Sequence, residues 1–164
     1  MAAKATPPTA ERIAQSFKQL SETSTRLNTV SDEFSKAIAP IDAELKKLNL
    51  GVTAWHRYIG DGDENSGDFW ERRIGYAKIA GKWGLALATV SGNIHYQEHE
   101  EEQWLFGDAP RAMRVEAVDH VPGLLEELVT QANKVASDLE NKTQTARALA
   151  LTISALASAQ QGRR

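Results

Sequence analysis

Apolar residues recur along this chain in two different rhythms. From Ile13 onward they alternate in steps of four and three: Ile13, Phe17, Leu20, Leu27, Phe34, Ile38, Ile41, Leu45 and Leu48, with Ser24 and Ser31 the polar members of the series. Such a heptad seam belongs to a helix packed along another helix. A second seam closes the chain: Leu125, Leu128, Ala132, Val135, Leu139, Lys142, Ala146, Leu149, Ile153, Leu156 and Gln160. The spacing predicts one long helix over 9–49 and another over 122–160. Thr9 is placed to cap the first, Glu11 favours its opening turn, and Gly51 supplies its stop. Pro40 faces away from the seam, which stays in phase across it, so a kink is expected; the alternative is two helices meeting near Ala39.

Between the helices the period falls to two. Residues 51–59 alternate as a strand, 60–68 read as loop, and further strands are expected over 70–79 and 82–91. If Ala80-Gly81 forms a tight turn, Ile79 faces Lys82, Lys78 faces Trp83, Tyr76 faces Leu85 and Ile74 faces Leu87. The hairpin then has one bulky apolar face and one nearly bare face, made of Gly75, Ala77, Gly84, Ala86 and Ala88. Small residues on a sheet face let another backbone approach closely. Either a helix of the same chain covers that face, or a partner chain docks there and these five residues form an interface.

Residues 92–103 are a polar, acidic excursion, and Trp104-Leu105-Phe106 is a short fourth strand. Asp108 and Pro110 open a short helix over 109–120, with Ala112, Met113, Val115, Ala117 and Val118 turned inward. Pro122 opens the last helix. The expected fold is α+β. A small antiparallel meander of three or four strands (51–106) is inserted between two long helices, and a short helix is added. Residues 1–8 form a flexible arm and 9–161 a single domain.

The two seams match if they run antiparallel. With Leu48 set opposite Leu125, Leu27 meets Ala146, Leu20 meets Ile153 and Phe17 meets Leu156. Lys142, the charged member of the second seam, falls opposite Ser31. The expected arrangement is an antiparallel coiled-coil-like hairpin. Small residues widen both stripes: Ser16, Thr23, Val30 and Ala37 on one, Val129, Ala136, Thr143, Ala150 and Ala157 on the other. Wide stripes call for more helices than two, and a homodimer supplies them as a four-helix bundle.

Composition narrows the chemistry. The chain has 164 residues, 41% of them hydrophobic and 25% charged, which is ordinary globular composition. The formal net charge of −3 gives no general electrostatic case for nucleic acid. With no cysteine there is no disulfide, thiolate metal site or cysteine nucleophile. No apolar run reaches the ~20 residues of a membrane span, and the N-terminus lacks a signal-peptide core. A cytoplasmic protein is expected, with no membrane partner and no cofactor.

Three clusters hold candidate chemistry. Asp61, Asp63 and Asn65 place oxygen ligands at alternate positions, as the opening of an EF-hand loop does. The glycine, however, falls one place late, and Arg72 stands where a bidentate glutamate belongs. His95, Gln97 and His99 have zinc-compatible spacing, with Glu100, Glu101 and Glu102 nearby, but no apolar anchor holds them. Arg72, Arg73, Arg111 and Arg114, beside Trp70 and Trp104, outline a basic and aromatic patch of the kind that binds nucleic acid. His56 stands alone on the first strand, and no spacing of carboxylates selects an acid–base pair. The first expectation is therefore a non-enzymatic protein–protein interaction or adaptor protein, homodimeric, with room for another protein partner. A small metal- or ligand-binding protein or enzyme using the acidic loops 61–68 or 95–102 comes second, and a nucleic-acid accessory protein third.

Overall fold

The computed structural model describes residues 8–96 and 98–161, with only the backbone at 8, 98, 160 and 161. The expected arm, apart from Pro8, lies outside these residues, as do Gln97 and the terminal Gly162-Arg163-Arg164. The fold is α+β, with an antiparallel sheet and helices. The chain divides into two compact units, Met1–Lys47 and Leu48–Arg164.

The first unit is built on helix α1, Pro8–Leu48. The helix is continuous through Pro40, as the in-phase seam implied. Its stop is set earlier than Gly51: Asn49 takes a left-handed conformation at φ 47° directly after Leu48. Asparagine is the residue other than glycine that most readily adopts this geometry. Lys46 and Lys47 lie in the last turn, where cations favour the helix dipole.

The second unit holds strands β1 (Ala54–Gly62), β2 (Asp68–Ile79), β3 (Lys82–Asn93) and β4 (Glu98–Leu105) in the order β1-β2-β3-β4. The β2–β3 register is the expected one, with Ile79 opposite Lys82, Tyr76 opposite Leu85 and Ile74 opposite Leu87. Ala80 and Gly81 both have positive φ, 47° and 82°, as a tight turn matched to strand twist requires. On the bulky face Tyr76 stacks on Trp83 with ring centroids 5.5 Å apart.

Three local expectations are corrected. Strand β1 runs beyond Ile59 through Gly60-Asp61-Gly62, and Tyr58 is a bulge between the Arg57–Arg73 and Ile59–Arg72 pairs. The acidic stretch 98–103 is strand and not loop; it pairs with β3 from Asn93 opposite Glu98 to Ala86 opposite Leu105. The helix expected over 109–120 shortens to α2, Arg111–Ala117, between 3-10 turns at Phe106–Asp108 and Val118–His120. Pro110 and not Asp108 occupies its N-cap. Met113 and Ala117 are buried as expected, whereas Ala112 and Val115 are exposed.

Helix α3, Val121–Gln161, completes the unit. Its first turns lie against β1 and β2. There the buried residues are Val121, Leu124 and Leu128, while seam residue Leu125 is 41% exposed. The sheet therefore takes a face rotated one residue from the seam. The approach is close: a Cβ on Gly123 would lie 2.5 Å from Nε2 of His56.

Candidate interaction surfaces

Both long helices carry part of their seams in the open, whereas the seam residues Ile38, Leu45 and Leu128 are buried. Over 9–30 every residue of α1 is exposed, and Ile13, Phe17, Leu20 and Leu27 are 64%, 71%, 64% and 49% accessible. Over 133–159 every residue of α3 is exposed, including Leu139, Leu149, Ile153 and Leu156 at 58–65%. Leu151, off the seam, is 74% exposed. Single exposed leucines are ordinary, but a seam several turns long is not. An isolated helix in water is marginal even with good propensity, so its stability normally comes from a packed apolar face. These two stretches have the sequence of packed helices and the exposure of unpacked ones.

The small residues of the hairpin are placed differently. Gly75, Ala77, Gly84, Ala86 and Ala88 are all buried. At Gly75 the cover is Trp55 from the neighbouring strand, whose Cε3 lies 2.2 Å from where a Cβ would stand. These five residues make close packing and present no open surface.

The acidic loop is a hairpin turn. The backbone N–H of Asp63 donates to the carbonyl of Asp68 at 2.9 Å, and that of Gly67 to the carbonyl of Asp63 at 2.7 Å. The carboxylate of Asp63 accepts from the Asn65 N–H, and that of Asp61 from the Gly62 N–H, both at 2.8 Å. The side chains of Asp61 and Asp63 thus help to shape the turn, and Asn65 takes part through its backbone N–H. Asp68 accepts from Nδ2 of Asn93 at 2.7 Å, and bonds to Asn93 and Ser66 hold its carboxyl below the usual carboxylate range. Among the described residues no group of three or more histidine, aspartate or glutamate side chains is arranged to hold a metal ion.

His95 lies in the turn before β4 and His99 on β4 itself. The ring of His95 lies over Gly67, and His99 pairs across the ladder with Gly92. The arginines are divided between strand β2 and helix α2. Arg72 pairs with Glu116 of α2 at 2.5 Å and lies 5.9 Å from the Trp70 ring centroid. Arg73 lies on the opposite sheet face, where Glu71 bridges it to Arg57, with Arg57 Nε 3.2 Å from the carboxylate. Arg111 and Arg114 stand on α2, the first exposed and the second half-buried.

One cluster was not legible as such in the sequence. His120 stacks on Tyr58 with centroids 5.0 Å apart and lies 6.2 Å from His56. The Tyr58 hydroxyl is buried without a hydrogen-bond partner. Burial, reinforced by the Glu116 carboxylate and opposed by Arg72, raises the phenol pKa. The bulge that turns Tyr58 inward depends on pairing register, which alternation alone cannot reveal. No polar or charged residue is fully buried among the described residues.

Fold and surface together define an α+β protein with solvent-facing helical seams. No family model matches the chain, and no curated protein or solved structure matches it. No helix among the described residues is long and apolar enough to cross a membrane.

Proposed function

We propose that this is a non-enzymatic protein–protein interaction module that works as a homodimer, with the seams of α1 and α3 as its docking surface. The supporting observation is the exposure of Phe17, Leu20, Leu149, Ile153 and Leu156, all seam positions. In this reading the seams pair antiparallel as a coiled coil, Leu48 level with Leu125 and Ser31 facing Lys142. Lysine can reach water along its own stem, so its layer costs little and marks register. Fully burying one such leucine or isoleucine contributes roughly 1.5–3 kcal/mol, and the apolar layers outnumber the polar ones.

Sedimentation or light scattering tests the reading. The chain is expected at about 36 kDa, twice its 18.0 kDa mass. Ile153→Asp, which places a charge in the seam, is expected to return it to 18.0 kDa without disturbing the sheet. A wild-type chain that stays at 18.0 kDa at high concentration ends the homodimer reading.

A further inference from the structure

We infer that the seams pair between copies: α1 of one chain lies along α3 of the second, reciprocally, so that each copy covers the other's exposed stretches. This rests on the homodimer reading and names its arrangement.

Three observations carry it. First, both stretches are exposed in the single chain, and each seam is the one that the other matches in size and polarity, with Leu27 level with Ala146 and Lys142 level with Ser31. A second copy supplies both matching seams at once. Second, charge selects no other class of partner. On 9–30 of α1, Glu11 and Glu22 stand against Arg12, Lys18 and Arg26; on 133–159 of α3, Asp138 and Glu140 stand against Lys134, Lys142 and Arg147. Both stretches are close to neutral, so two copies repel little and a strongly acidic or basic partner gains little. The positions flanking the α1 seam, from Ala14 to Ala37, carry no charge, which suits further helices and not solvent. Third, the area is adequate. Stretches of roughly 33 and 40 Å, each giving a strip about 10 Å wide, offer about 700 Å² per copy. A standard stable interface needs about 800 Å² per partner.

The cysteine-free chain allows a clean test. L27C and A146C are made separately, checked for unchanged circular dichroism, mixed, allowed to exchange copies and oxidised. The mixture is expected to give a covalent dimer at about 36 kDa on a non-reducing gel, and either variant alone only a trace. The double variant L27C/A146C is expected to give covalent dimer and not a closed monomer. If the chain is dimeric by light scattering and the mixture gives no cross-link, the reciprocal pairing is overturned while the homodimer stands. A closed monomer from the double variant overturns it too, because the seams then pair within one chain. A chain that stays at 18.0 kDa by scattering removes both readings.

Discussion

Ala80 and Tyr58 each hold a conformation or environment their chemistry does not prefer. The turn between β2 and β3 needs positive φ at both central positions, and Ala80 adopts it at 47° with a Cβ that resists it. Asparagine tolerates this region, and Asn-Gly is the favoured pair for such a turn. Ala80→Asn is expected to stabilise the protein by roughly 0.5–1 kcal/mol, read as a higher urea midpoint at unchanged slope. A lower midpoint would sink the idea. Tyr58 carries a buried hydroxyl with no partner. Tyr58→Phe should therefore leave stability at neutral pH unchanged or raise it by up to about 1 kcal/mol. The pH dependence follows from the raised phenol pKa. The folded state holds the phenol proton more tightly than the unfolded chain does. Its stability is thus complete below the ordinary phenol value of about 10 and declines as pH rises through it. Denaturation from pH 7 into the alkaline range should show a shallower decline in Tyr58→Phe than in the wild type; equal slopes would show that another group carries the effect. Ala80-Gly81 was legible as a turn because glycine and hairpin alternation mark it. The environment of Tyr58 was not, because it depends on His120 and Glu116, distant in sequence.

The elements were legible to different depths for different physical reasons. Both long helices followed from seams that recur over many turns, and periodicity is least ambiguous in long segments. The β2–β3 register followed from one turn, since a slip of one residue would exchange the two faces. Strand β4 was missed before Trp104 because Glu100, Glu101 and Glu102 read as solvated loop. In the fold they form an edge strand, where charge discourages further strand addition. The start of α3 came within one residue of Pro122, but its buried face did not follow the series: Leu128 is buried as marked, whereas Val121 and Leu124 are buried in place of Leu125. The face that meets the sheet is offset from the heptad series, which runs on along the exposed part of the helix. The acidic turn drew attention as a metal site because aspartate suits both cations and turns. In the fold the carboxylates of Asp61 and Asp63 accept hydrogen bonds from backbone N–H groups of the turn.

Across the whole molecule, stability is expected to be uneven, and the tryptophans are placed to reveal it. Trp55, Trp70, Trp83 and Trp104 lie one on each strand, so their fluorescence reports on the sheet. Far-ultraviolet circular dichroism is dominated by α1 and α3, whose stretches 9–30 and 133–159 are wholly exposed in the single chain. A helix without a packed face is marginal, whereas strands joined in one ladder around Ile74, Leu85 and Leu87 keep their core whatever happens at the helix ends. If a second copy covers the seams, dilution removes that cover by mass action. The expected outcome of a dilution series is a loss of helical signal at 222 nm, following the fall in mass, while tryptophan emission stays fixed. Ile153→Asp should show the diluted spectrum at every concentration. Loss of both signals together would show that the sheet needs the bundle, and helicity independent of concentration would show that the seams need no partner. On the proposed dimer the order of these events follows from where apolar surface would be buried: inside the chain for the sheet, and between chains for the exposed helical stretches.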